Sequence, residues 1–221
     1  MSRNAFDLAA FAALTVLAFA LEALSPVPAL YSGLLAICIV MAGVWVMVAR
    51  RGQTWADLGL RRPRKLWTTP LWFVGLFAAF YALNFVAVAA VQAGVLPPPD
   101  LSKFAPLRGS LPMLMVGLVS IWVTAGFFEE MIFRGFVLDR LLGIFGERAF
   151  GAAFAVVLQA IIFGAFHFYQ GASGVVLTGA AGLLFGVFYL LQGRNMWVQI
   201  ALHGVVDTLG LLQFYLNGPP A

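Results

Sequence analysis

Residues 5–24, 30–49, 70–92, 149–168 and 196–216 each form an almost unbroken apolar run. About 20 apolar residues in an α-helix cross the ~30 Å hydrocarbon core of a bilayer, so each run has the length of a membrane span. Two further stretches, 111–128 continuing towards 142 and 172–192, qualify with small interruptions. The pattern predicts an all-α, polytopic transmembrane bundle of about seven helices. Its connections are too short for another domain, so 1–221 reads as a single transmembrane domain. With 62% of residues hydrophobic and 10% charged, the chain lacks the polar surface to coat a soluble globule of its size. Period-two alternation is absent and the runs are about twice the length of barrel strands, which excludes an outer-membrane barrel.

The lead Met1-Ser2-Arg3-Asn4 resembles the start of a signal peptide, but Asp7 and Glu22 bracket a long run with no small-residue cleavage site after it. The first span is therefore expected to stay as an anchor. Cys38 is the lone cysteine, lies inside the second run and reads as packing. The net charge of +4 is concentrated: Arg50, Arg51, Arg61, Arg62, Arg64 and Lys65 all fall between the second and third spans. By the positive-inside rule this loop faces the cytoplasm. Alternation then puts the N-terminus inside, the Pro97-Pro98-Pro99 loop with Lys103 and Arg108 outside, and Arg140 and Arg148 inside. The expected location is the cell (inner or plasma) membrane, with membrane lipids as neighbours, and the basic loop suits anionic headgroups rather than nucleic acid. Pro26 and Pro28 punctuate the first connection, Pro63 and Pro70 the second, and Gly143 with Gly146 are expected to break the helix after the acidic motif. Gly182 and Gly186 suit a close helix approach.

Ionisable residues within apolar spans cost about 2.5–3.5 kcal/mol each on insertion scales and so call for a reason. In Glu129-Glu130-Met131-Ile132-Phe133-Arg134, Glu130 and Arg134 stand at i and i+4 and can pair, while Glu129 points about 100° away and stays free. One carboxylate is thereby neutralised and the other left available. His167 follows Phe163 by four residues, so ring and imidazole share a helix face; His203 and Asp207 repeat that spacing. A lone histidine near a span end is ordinarily interfacial, and a lone i,i+4 His/Asp pair is weak evidence. Together the three sites supply two imidazoles and three carboxylates, enough to activate water and stabilise an oxyanion, or to hold a divalent metal such as Zn²⁺. No His-Glu-x-x-His spacing exists, so the use of metal is open.

A Glu-Glu-x-x-x-Arg motif, then Phe-x-x-x-His, then His-x-x-x-Asn/Asp on successive membrane helices resembles the CPBP family, the CAAX proteases and bacteriocin-processing enzymes also called Abi. The loop Asp57-Leu58-Gly59-Leu60-Arg61-Arg62-Pro63 also resembles the family's region before its third helix. The resemblance covers about 55–210, with the motif-bearing core at about 111–216, and the strong preference for Arg over Lys suggests a bacterial source. It implies an intramembrane endopeptidase cutting a membrane-bound or membrane-proximal peptide. Glu129 would activate the attacking water with help from His167, His203 and Asp207 would serve the oxyanion, and Glu130, Arg134 and Phe163 would support them. Asp207 stands where the eukaryotic CAAX endopeptidase has Asn, so it would act neutrally, bind a metal or orient His203.

The rival reading is a non-catalytic scaffold or immunity-type protein, or a proton-coupled carrier, on the same bundle; the chain shows no internal repeat of the carrier kind. The protease reading further predicts that Glu129, His167 and His203 share a water-accessible cavity opening towards the cytoplasm. Counting from the Gly143–Gly146 turn leaves Glu129 and His167 about 10 Å apart in depth at 1.5 Å per residue, so unequal or tilted helices are needed.

Overall fold

The computed structural model describes residues 2–26, 29–63 and 65–220, with only the backbone of 29–32; Met1, Pro28 and Arg64 lie outside the described residues. The described residues are helical, with no strands. The α-helices are α1 (Arg3–Leu24), α2 (Ala29–Arg50), α3 (Thr69–Gln92), α4 (Leu111–Ile121), α5 (Leu138–Phe145), α6 (Ala149–Ala165), α7 (Gly171–Leu191) and α8 (Trp197–Asn217). Two π-helical segments, Trp122–Glu129 and Met131–Val137, join α4 to α5. Residues 111–145 are thus one continuous rod, and the architecture is a bundle of seven rods. Five of them, Leu111–Phe145 among these, are long and apolar enough to cross a membrane. The expectation of seven spans is met less completely. α6 has only 17 residues, and α8 carries Gln199, His203, Asp207 and Thr208 along its length.

The helix ends follow local chemistry. The Ser2 hydroxyl caps α1 by accepting from the Ala5 amide at 3.2 Å, and α3 and α4 each begin with a proline in the first turn. Gly146, at φ 87°, ends the central rod. Gly143, expected to break the helix, does not: the rod runs through it, and the Asn4 amide fills the space a Cβ would take there. This corrects the depth count. Glu129 stands 16 residues before the rod's end at Phe145, and His167 stands 18 after the start of α6 at Ala149. Two residues of difference are about 3 Å.

The second half of the central rod is the core. Met131 to Leu138 are all buried, packed against Phe11 of α1, Val44 and Val48 of α2, Ala155 and Phe163 of α6, and Tyr189 of α7. The outward faces are apolar as well: Phe85 is 77% exposed and Phe150 85%, as expected when lipid is the solvent. At one end of the bundle the N-terminus, the basic loop and the end of the rod are tied by Asp7. Its Oδ2 accepts from Arg51 Nε and from buried Arg140 Nε, both at 2.8 Å. At the same end the 58–61 loop clamps the α7–α8 connection, since the Tyr189 hydroxyl donates to Leu58 O at 2.9 Å and the Met196 amide to Gly59 O at 3.1 Å. Gly59 is required there: at φ 105°, a Cβ would lie 2.6 Å from the Tyr189 hydroxyl. The opposite end carries the 93–110 loop and the turn after α6.

Candidate active site

Three rods converge on the polar cluster. The central rod bears Glu129, Glu130 and Arg134; α6 and the turn after it bear Phe163 and His167; α8 bears His203 and Asp207. Glycines set the spacing. A Cβ on Gly204 would lie 2.6 Å from the Trp122 ring, and one on Gly126 would lie 3.4 Å from the Gly204 nitrogen. α8 therefore passes close against the π-helical segment, one residue from His203. On the other side, a Cβ on Gly182 would meet Phe163 at 2.8 Å and one on Gly186 would meet Gln159 at 2.9 Å. The close approach expected at these two glycines is the contact between α7 and α6.

Glu130 is fully buried, and its Oε1 accepts two hydrogen bonds, from Arg134 Nη1 at 3.0 Å and from His203 Nδ1 at 2.8 Å. The i,i+4 pair with Arg134 follows from the spacing, and the wider π turn leaves it intact. The bond to His203, 73 positions away, was not legible. A carboxylate only accepts, so His203 Nδ1 carries the proton and the other nitrogen, Nε2, faces the site. That Nε2 lies 4.0 Å from Glu129 Oε2 and 3.8 Å from Asp207 Oδ2. Both separations exceed the 2.7–3.2 Å of a direct hydrogen bond. They leave a space between two carboxylates and an imidazole.

His167 is held differently. Its Nδ1 lies 3.0 Å from the carbonyl of Phe163, and a carbonyl only accepts, so this nitrogen donates and Nε2 keeps its lone pair. Among the described residues, no hydrogen bond or ion pair joins His167 to Glu129 or to His203. The link runs instead through Phe163, whose ring centre is 4.9 Å from that of His167 and 6.4 Å from that of His203. Arg134 stacks on the same ring at 4.5 Å and on Phe185 at 5.1 Å. Phe185 is a member of the site that sequence reasoning missed, since one more aromatic in an apolar run carries no signal. Its ring lies 5.7 Å from His203, so two phenyl rings enclose the Arg134 guanidinium and the His203 imidazole.

The cluster has more polar capacity than the protein itself uses. Among the described residues, Glu129 Oε2, Glu130 Oε2 and Arg134 Nε and Nη2 are buried without a hydrogen-bond partner. Buried polar atoms are ordinarily satisfied, so these atoms have hydrogen-bonding capacity to spare. The side chains of Glu129 and Asp207 are 21% and 34% exposed, so the space is reachable. Two apolar cavities lie elsewhere. One, of about 430 Å³, is lined by Cys38, Met41, Trp45 and Phe128 among others; the other, of about 320 Å³, lies between α6 and α7. His167 stands at the bundle end that carries the 93–110 loop. The site thus approaches the end opposite the basic loop, whereas the sequence reading had it open towards the basic end.

Among the described residues, no three His, Cys, Asp or Glu side chains are grouped to hold a metal ion, and zinc needs at least three protein ligands at about 2.0–2.3 Å.

Residues 111–209 match the family model described as "Type II CAAX prenyl endopeptidase Rce1-like". No curated protein and no solved structure matches the chain at a significant level. The matched segment begins with the central rod and ends in α8, and it contains every residue of the cluster.

Proposed function

From the match of residues 111–209 to the Rce1-like CAAX protease family, we propose that the chain is an intramembrane endopeptidase of that family, which hydrolyses a peptide bond of a membrane-associated substrate with water activated by Glu129. The observation that carries the reading is the division between the two glutamates. Glu130 is spent on Arg134 and His203, while Glu129 Oε2 faces His203 Nε2 across 4.0 Å with no partner of its own.

In this mechanism a water lies between Glu129 and His203. Glu129 takes its proton as the oxygen attacks the scissile carbonyl, and the carbonyl oxygen becomes a tetrahedral oxyanion. His203, protonated on both ring nitrogens among the carboxylates of Glu129, Glu130 and Asp207, keeps Nδ1 anchored on Glu130 and turns its Nε2–H towards that oxyanion, stabilising it by donation. Collapse breaks the C–N bond, and the proton held by Glu129 passes to the departing amine. His167, fixed at Nδ1, offers its Nε2 lone pair to the water network beside Glu129. Asp207, 3.8 Å from His203 Nε2, orients the imidazole. Arg134 acts only through Glu130. General-base and oxyanion effects of this kind each contribute about 10²–10⁴-fold in rate.

The test is cleavage of a membrane-tethered peptide by the purified chain in proteoliposomes, with products identified by mass spectrometry. Two fragments whose new carboxylate carries ¹⁸O from labelled water are expected. Intact substrate, in vesicles where the chain instead moves protons, would favour the carrier reading.

A further inference from the structure

α1 lies outside the segment 111–209 that matches the family model, yet it reaches the candidate active site. Phe166, the residue before His167, has its ring 6.2 Å from that of Phe11 and 5.6 Å from that of Phe19, both on α1. Eight residues of helix separate Phe11 from Phe19, about 12 Å at 1.5 Å per residue, and each of the two distances is about half of that. The Phe166 ring is therefore inserted between them. Thr15, midway between them on the same face, is small and buried. Phe133 of the central rod closes a third side, its ring 5.0 Å away and edge-on. Phe19 is drawn inward to make this contact, being 36% exposed where Phe6 of the same helix is 62% exposed.

The turn that carries His167 has need of such a hold. α6 ends at Ala165, and His167 follows with φ −102° and ψ 20°, outside the regular helix. Helix ends fray where the ladder stops, so side-chain packing decides where the imidazole points. The His167 amide donates to Gly164 O at 2.9 Å and its Nδ1 to Phe163 O at 3.0 Å. Both acceptors belong to α6, so neither fixes the turn against the central rod or α1. The Phe166 ring does so. α1 itself is held at its other end by Asp7, which accepts from Arg51 and Arg140, each at 2.8 Å. The helix is thus a strut, tied by charge at the basic end and pressed against the ring beside His167 at the other.

We propose that Phe19 is a positioning residue for the reaction: together with Phe11 it grips the Phe166 ring and so keeps the His167 imidazole in its place in the site. The proposal rests on the endopeptidase reading, in which His167 serves the water network beside Glu129. Aromatic pairs prefer particular mutual orientations as well as distances, so the grip sets the direction of the turn and not its depth alone.

The experiment uses the full chain in proteoliposomes, labelled with ¹⁵N on histidine. The chain has two histidines, His167 and His203, so two imidazoles are read by solid-state NMR, with His167→Gln assigning them. Melting curves and cleavage kinetics are taken on the same samples. Phe19→Ala should displace or broaden the His167 signals, leave those of His203 in place, and lower kcat about tenfold with KM within about twofold. Phe19→Val removes the ring with a smaller loss of volume, and should move His167 in the same way with less effect on melting. Phe19→Tyr, which keeps the ring, should match the unaltered chain, as should Phe6→Ala. His167 signals unchanged in both Phe19→Ala and Phe19→Val would overturn the proposal. So would equal displacement of both histidines, or a displaced His167 with kcat unaltered. Selective displacement of His167 in a series where no sample cleaves, the unaltered chain included, would uphold the grip and count against the endopeptidase reading alone.

Discussion

Glu130 Oε1 serves Arg134 and His203 at once, so a Glu130→Gln change would leave a buried guanidinium without its counter-charge. Breaking a buried ion pair costs about 3–5 kcal/mol, and thermal melts in detergent should show that loss together with a fall in cleavage. Asp207→Asn should retain most activity, within about threefold, because orienting His203 needs no negative charge. Elemental analysis should find no stoichiometric metal, and chelator should leave the cleavage rate unchanged. Stoichiometric metal that disappears together with activity in Asp207→Asn would show that the donor set binds an ion after all. The pairs legible in the sequence were local ones: Glu130 with Arg134, Phe163 with His167 and His203 with Asp207 each announce themselves by i,i+4 spacing. The Glu130–His203 bond joins two rods and has no local signature.

Helices α8 and the π-helical segment meet where Gly204 faces Trp122, with no space for a methyl group. Gly204→Ala should push α8 outward and draw His203 away from Glu130. Overpacking of this kind costs about 1–3 kcal/mol, and the melt should register it. Cleavage should fall by more than the melt accounts for, because the His203–Glu130 bond is 2.8 Å long and has no slack. A Gly204→Ala protein that melts lower but turns over normally would show that this close approach only packs the bundle. The runs of apolar residues foretold the rods well, since length and composition decide whether a helix suits a bilayer. They did not foretell the π turns around Glu129, or that the rod passes through Gly143, whose missing side chain makes room for Asn4 rather than a break. α6 has 17 residues, and α8 carries Gln199, His203, Asp207 and Thr208 along its length, so neither is as plain an apolar span as its run of sequence suggested.

For the whole molecule, the basic loop, the N-terminus and Arg140 gather at one end and Lys103 with His167 at the other. We infer from the arginine-rich end that the former faces the cytoplasm. Accessibility labelling of single cysteines at Gln53 and Ser102 in intact cells tests this, with Ser102 expected to react from outside and Gln53 only after lysis. The central claim, that the free glutamate of the pair activates water, is tested most directly by the initial cleavage rate of Glu129→Gln in proteoliposomes, measured beside its melting curve. The account predicts a rate at least about 10²-fold lower with a melting temperature close to that of the unaltered chain; a variant that still cuts at a comparable rate, or loses activity only because it unfolds, would contradict it.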